Sequence, residues 1–254
     1  MAAARGTARR VQVSTGPTIM IKALAEVVGT AFLTGIGTAA VVSTEHLIKA
    51  GKGALTEADL GFIGLAFALA LAIGVYSIGK VSGCHVNPAV TTAMVVSGRM
   101  TITDAVWYYV AQVIGAIIGS LGVLAIWGTD VAKSTSLGVA SFSTPTSSFQ
   151  AMVAEAIGTF IFLFVITAMA GDPRAPAGWA GLIIGLTLGL VIIMMGAVTG
   201  GSLNPARSFG PMLVKAIFGG KVDWGQLWVY IVGPVVGGAL GALAYDWISG
   251  AKRA

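Results

Sequence analysis

The stretch SGCHVNPAVT, from Ser82 to Thr91, returns in altered form more than a hundred residues later as GGSLNPARSFGP, from Gly200 to Pro211. Each copy sets Asn-Pro-Ala behind a glycine-containing turn. Asparagine is a favoured N-cap because its side-chain oxygen accepts from the first free backbone N–H groups of a helix. Proline suits the next position, where its missing N–H would have been unpaired anyway. Each copy therefore reads as a bend followed by a helix start. In a soluble protein one such copy would mean a capped helix and nothing more.

The surroundings exclude a soluble protein. Of 254 residues, 56% are hydrophobic and 10% are charged, where a soluble domain carries about 25% charged residues. The mean hydropathy is +0.89. Apolar windows of about 20 residues, the length that crosses a hydrocarbon core, lie near 19–42, 60–80, 104–127, 150–171, 178–199 and 225–249. Segments 87–98 and 204–218, behind the two Asn-Pro-Ala tripeptides, are too short to cross and read as re-entrant half-helices. The first window is longer than a signal-peptide core of roughly 7–15 residues, so it reads as a retained span.

The two halves of the chain resemble each other. AEVVGT (Ala25–Thr30) matches AEAIGT (Ala154–Thr159), and VAQVIGAIIG (Val110–Gly119) matches VGPVVGGALG (Val232–Gly241). With the two half-spans, three features recur in one order, which marks an internal duplication. The predicted architecture is an all-α membrane protein of six transmembrane helices plus two half-helices. A tail, 1–18, precedes a channel domain, 19–249, with one repeat over about 19–128 and the other over about 150–249. Each repeat holds three spans, so the second enters from the opposite face and the repeat is inverted. The half-helices then dip in from opposite sides and meet near the middle.

Basic residues set the orientation. With the N-terminus inside, Arg5, Arg9, Arg10, Lys22, Lys80, Arg99, Arg174, Lys252 and Arg253 are internal, nine against the five external Lys49, Lys52, Lys133, Lys215 and Lys221. Their scatter between apolar runs speaks against a nucleic-acid surface. The single Cys84 forbids an intrachain disulfide. Two histidines, one cysteine and ten scattered carboxylates form neither a nucleophile–base pair nor a metal-ligand pattern, so no catalysis, metal or cofactor is expected.

Two opposed helix starts at membrane depth imply a polar cavity, because irregular backbone is tolerated there only inside protein or beside water. Gly83, Cys84 and His85, and likewise Gly200, Gly201 and Ser202, are expected to run extended and turn carbonyls toward it. Carbonyls on the approach and amide donors at the centre suit a small neutral hydrogen-bonding solute, above all water.

The paired NPA boxes, six spans and NPARS segment resemble the aquaporin (major intrinsic protein) family over about residues 19–249. SGCHVNPAVT, GDPRAPAGWAGLIIGLT and SLNPARSFGP are most similar to its archaeal-type branch. The resemblance implies that Asn87, Pro88 and Ala89 face Asn204, Pro205 and Ala206 across a pore, with both asparagines directing N–H groups at a passing water. It implies a four-residue outer constriction at Phe67, Ile192, Gly201 and Arg207. Phe67 and Arg207 match the water-selective pattern. Ile192 stands where animal-type water channels commonly carry histidine, and with Gly201 opposite it implies a wider, less polar rim. Ser208 after the arginine, where glycerol channels often carry an acid, favours water. The resemblance also implies a homotetramer in the cell membrane with both termini cytoplasmic.

Several residues admit two readings. Glu26 and Glu155 occupy equivalent places in the repeats and could couple proton transport, but their symmetry favours a role as acceptors for the N–H groups of the re-entrant loops. Cys84 is a small buried residue or a redox site, and the first suits it better. His85 is a pH gate or a hydrogen-bonded loop histidine, with the second favoured. Gly115 and Gly119, like Gly237 and Gly241, have the spacing for close helix crossing. The functional expectation is a passive water channel. Its alternatives are a facilitator for glycerol, ammonia, hydrogen peroxide or gases, and an inverted-repeat secondary transporter.

Overall fold

The computed structural model describes residues 16–51 and 53–250, so expectations resting on Arg5, Arg9, Arg10, Lys52, Lys252 and Arg253 lie outside the described residues. Among those described, every regular element is helical. Six helices are long and apolar enough to span a membrane: α1 (Ile19–Gly51), α2 (Glu57–Ser82), α4 (Ile102–Trp127), α6 (Ser148–Ala170), α7 (Ala180–Thr199) and α9 (Val229–Ser249). Two half-helices, α3 (Pro88–Val96) and α8 (Pro205–Ile217), lie between them. A single turn, α5 (Val131–Ser134), sits in the connection between the repeats.

Helix ends depart from the apolar windows for local reasons. Thr56 accepts from Asp59 N while the Asp59 carboxylate accepts from Thr56 N at 2.9 Å, a capping box that starts α2 before its apolar run. Thr101 caps α4 through Asp104 N at 3.1 Å, and Ser147 caps α6 through Gln150 N at 3.2 Å. The largest difference is α1, expected to end near residue 42 but continuing to Gly51. At 1.5 Å per residue, its 33 residues reach about 50 Å, well beyond a hydrocarbon core of about 30 Å. The segment STEHLIKA after Val42 holds neither proline nor glycine, so nothing breaks the helix once it leaves the apolar layer.

The polarity of the bundle is inverted relative to a soluble core. Leu24, Phe32 and Ile36 on α1, Leu190 and Met194 on α7, and Leu240 on α9 are exposed, whereas Glu26, Thr30, Thr34, Gln112, Ser120, Glu155 and Thr159 are fully buried. An apolar outside around a polar inside is the pattern of a membrane-embedded bundle. Close packing within follows the repeat: α1 lies on α4, α6 on α9, and α2 on α7. A Cβ built on Gly119 would stand 2.5 Å from the Ala31 carbonyl, and one on Gly189 would stand 2.7 Å from that of Gly64. Gly241 meets Phe160 in the same way. Small residues let these backbones touch.

Candidate functional site

The site begins where α2 and α7 stop. Both end on a left-handed glycine, Gly83 (φ 89°) and Gly200 (φ 79°). Left-handed conformations continue at Cys84 (52°) and Val86 (46°), and in register at Gly201 (57°) and Leu203 (55°). The expected extended runs are therefore corrected: both approach segments curl. In an extended chain successive N–H groups point to opposite sides, so adjacent amides cannot converge. A curled segment forms a concave nest of N–H groups around one anion.

That anion is a buried glutamate. Glu26 accepts from His85 N at 2.9 Å, Val86 N at 2.6 Å, Ser82 Oγ at 2.7 Å and Gln112 Nε2 at 2.8 Å. Glu155 accepts from Ser202 N at 3.0 Å, Leu203 N at 2.8 Å and Thr199 Oγ1 at 2.8 Å. Holding bulky residues such as Val86 and Leu203 left-handed costs about 1–3 kcal/mol each, and these bonds offset it.

The asparagines then start the half-helices. Asn87 Oδ1 accepts from Ala89 N at 2.8 Å, and Asn204 Oδ1 accepts from Ala206 N at 3.0 Å and Arg207 N at 3.2 Å. Each Nδ2 crosses to the other repeat. Asn87 donates to the Leu203 carbonyl at 2.9 Å, and Asn204 donates to the Val86 carbonyl at 2.8 Å. The two Asn-Pro-Ala turns are thereby locked end to end, with one N–H of each amide uncommitted by these bonds.

A passage runs beside this junction. A cavity of about 460 Å³ opens on the face of the α1 extension, and one of about 260 Å³ opens on the face that carries both ends of the bundle. Between them a void of about 10 Å³ is lined by Phe67, His85, Asn87, Asn204 and Arg207 against apolar Leu33, Leu71, Phe162 and Leu188. A void of roughly 10–15 Å³ holds about one water, so the waist has room for about one water at a time.

Arg207 sits at the rim of the waist toward the larger cavity, 3% exposed. Its Nη1 donates to the Gly138 carbonyl at 2.8 Å, its Cζ lies 5.0 Å from the centroid of the Phe67 ring, and its Nε has no hydrogen-bond partner among the described residues. Ile192 lines the larger cavity. Gly201 packs on it: a Cβ there would point at Ile192 Cα, 3.1 Å away. The structure thus brings Phe67, Arg207, Asn87 and Asn204 together around the waist, while Gly201 packs on the Ile192 backbone and lines neither the waist nor the two cavities.

From α2 and α3 to their counterparts α7 and α8 the duplication shifts positions by 117 residues, the separation of the two asparagines. Applied to Phe67, Ile192, Gly201 and Arg207, it gives Ile184, Val75, Cys84 and Val90, all lining the opposite cavity. The mirrored rim is present but carries no charge and no phenyl ring. On that side Arg99 lines the mouth and is held by Asp246 at 2.6 and 2.8 Å.

Several supporting residues escaped the sequence reading. Ser82 Oγ and Thr199 Oγ1 each donate to a glutamate and accept from Cys84 N and Gly201 N, both at 3.1 Å. Tyr108 Oη donates to the Ser82 carbonyl at 2.6 Å, and Tyr230 Oη to that of Thr199 at 2.7 Å. His85 pairs with Thr91 at 3.1 Å, as Ser202 pairs with Ser208. Extending the match of 110–119 with 232–241 two residues backwards would have paired the tyrosines. Gln112 has no such signal, because Pro234 stands at its counterpart.

Six membrane-length helices in an inverted repeat, with two asparagine-capped half-helices meeting end to end beside a narrow polar passage, define a multi-pass membrane channel. The Major intrinsic protein family profile matches residues 14–245, and the chain belongs to that family. It is 39% identical over 239 residues to Aquaporin AqpM of Methanothermobacter thermautotrophicus, covering 90% of this chain and 97% of that protein. It is 43% identical over 223 residues to Glycerol uptake facilitator protein-like 6 of Lactiplantibacillus plantarum, covering 88% and 95%. Among solved structures, the X-ray structure of the aquaglyceroporin from Plasmodium falciparum aligns with a TM-score of 0.78 at 26% identity, covering 91% of this chain and 97% of that one. The family and the archaeal likeness are those the motifs implied.

Proposed function

We propose that the protein is a passive water channel that excludes protons and ions and leaks some small neutral solutes. One observation carries this reading: the waist of about 10 Å³ is flanked by both asparagines and by an arginine whose Nε is unpartnered. A water in the waist receives the remaining amide N–H groups on its oxygen. Its own hydrogens then point away on both sides, so it donates to both neighbours and relays no proton. Each half-helix start adds roughly half a positive charge, and Arg207 adds a full one, which opposes cations. Apolar Leu33, Leu71, Phe162 and Leu188 leave the solute few other partners.

Ile192 favours a second reading, a facilitator for glycerol or similar solutes, because it gives the outer rim an apolar side. The 43% identity to a protein named as glycerol uptake facilitator-like points the same way. Secondary transport is disfavoured, since Glu26 and Glu155 are enclosed by donors from the loops they hold. On this proposal the chain lies in the cell membrane with cytoplasmic termini, as a homotetramer with one pore per subunit. Stopped-flow light scattering on proteoliposomes tests the central claim: water efflux exceeds that of empty liposomes without proton current. Water permeability equal to that of empty liposomes refutes it, and glycerol uptake matching water efflux selects the second reading.

A further inference from the structure

Glycine is the poorest helix former after proline, so a buried glycine in the middle of a long helix needs a packing reason. For Gly37 on α1 the reason is the Phe67 ring. A Cβ on Gly37 would fall on the ring's Cδ1, Cε1 and Cζ atoms. The ring therefore lies back in a slot that only a missing side chain leaves open. The same ring lies under Arg207, whose Cζ is 5.0 Å from the ring centroid. The next residue, Thr38, supports the second member of the rim: a Cβ on Gly138 would stand 2.5 Å from Thr38 Cβ, and the Gly138 carbonyl holds Arg207 Nη1 at 2.8 Å. Neither Gly37 nor Thr38 lines the waist or the two cavities. Both brace residues that do.

We infer that Gly37 is a positioning residue that sets the pore aperture from behind, by deciding how far the Phe67 ring withdraws from Arg207. The inference rests on the pore reading above. A methyl group at residue 37 can be accommodated only if the ring moves off α1, and the space in front of it is the lumen. Gly37→Ala narrows the rim without altering any group that touches solute. Phe67→Leu, which removes the ring, makes the slot unnecessary.

The test compares full-length wild type, Gly37→Ala, Phe67→Leu and the double variant in proteoliposomes with water, urea and glycerol. The largest solute that wild type passes above empty liposomes is the reporter; a wild type that passes none refutes the pore reading itself. Gly37→Ala is expected to cut reporter permeability per channel at least about threefold, as a narrowed pore should. In the Phe67→Leu background the same Gly37→Ala change is expected to leave reporter permeability per channel within about 1.5-fold of Phe67→Leu alone, a loss of effect that an independent or general folding defect would not show. Unchanged reporter permeability in Gly37→Ala overturns the inference, as does an equal fold loss when Gly37→Ala is added to Phe67→Leu. Should Gly37→Ala fail to reach the membrane, the double variant must assemble and pass the reporter as well as Phe67→Leu alone. Its failure to do so overturns the inference too.

Discussion

Asn87 and Asn204 each donate through Nδ2 to the carbonyl of the residue preceding the other, Leu203 at 2.9 Å and Val86 at 2.8 Å. The same side chains cap their own helices through Oδ1. Each asparagine thus has a local task and a task across the repeat. The two can be separated, because aspartate keeps the acceptor and loses the donor. Asn87→Asp and Asn204→Asp each leave a buried carbonyl unpaired, at a cost of about 1–3 kcal/mol. Both variants are expected to unfold at lower temperature in detergent by similar amounts, while their helix content at low temperature matches wild type. A wild-type midpoint in either variant would show that the cross-repeat bond contributes nothing.

The glutamates separate scaffold from coupling group. Glutamine in place of Glu155 presents an amide nitrogen where the carboxylate accepts from Ser202 N, Leu203 N and Thr199 Oγ1. One loop N–H must then face a donor, again at about 1–3 kcal/mol. Glu155→Gln should lower the yield of folded protein and its thermal midpoint, yet leave water permeability per folded channel within about twofold of wild type, since no pore-lining group changes. A stable variant whose flux had lost dependence on an ion gradient would favour a transporter.

These two sets of residues also show what a sequence can reveal. Asn87-Pro88 and Asn204-Pro205 were legible because capping is local chemistry, and the glutamates because the duplication repeats them in register. The Tyr108 and Tyr230 hydroxyls act on carbonyls 26 and 31 residues away, which no local pattern encodes. The curl at Val86 and Leu203 was hidden for another reason: left-handed valine or leucine is imposed by the surrounding bonds against intrinsic preference. The end of α1 was misplaced because hydropathy measures the bilayer, while the helix stops only at Gly51.

Asp172, in the loop after α6, offers a pH dependence outside the membrane. Its carboxylate accepts from Arg174 Nη2 at 2.5 Å, Arg174 N at 2.9 Å and Tyr245 Oη at 2.8 Å. The Arg174 guanidinium, through these hydrogen bonds, holds the carboxyl well below the usual carboxylate range. A depressed folded value means that this stabilisation is present above the unfolded value of about 3.9 and is lost as pH falls through the folded one. Asp172→Asn should therefore melt below wild type at neutral pH, with the gap closing under acid conditions. A gap independent of pH would remove the charge from the explanation.

On the proposed reading, Ile192 sets how much polarity the rim beside Arg207 offers. It is 2% exposed, lines the larger cavity and rests against Gly201. Histidine there would add a ring and a hydrogen-bonding nitrogen opposite Phe67 and Arg207. Ile192→His is expected to lower glycerol permeability about tenfold relative to water, within the range that one altered pocket contact supplies. An unchanged glycerol-to-water ratio would mean that the apolar side of the rim does not govern leakage.

Cys84 tests the mirrored rim. It corresponds to Gly201, lies 6% exposed, and lines the 260 Å³ cavity on the face of the bundle ends. Its sulfur lies beside Gly74 of α2, where a Cβ would stand 3.1 Å from it, and an adduct on Sγ is expected to project into the cavity that Cys84 lines. Mercuric ion is therefore expected to block most of the water flux, a thiol reductant to restore it, and Cys84→Ser to be insensitive. A membrane-impermeant mercurial should act from the face of the bundle ends alone, because the waist of about 10 Å³ bars it from the other. Equal block from both faces would place the thiol elsewhere than in that cavity. Persistent block in Cys84→Ser would assign inhibition to another group.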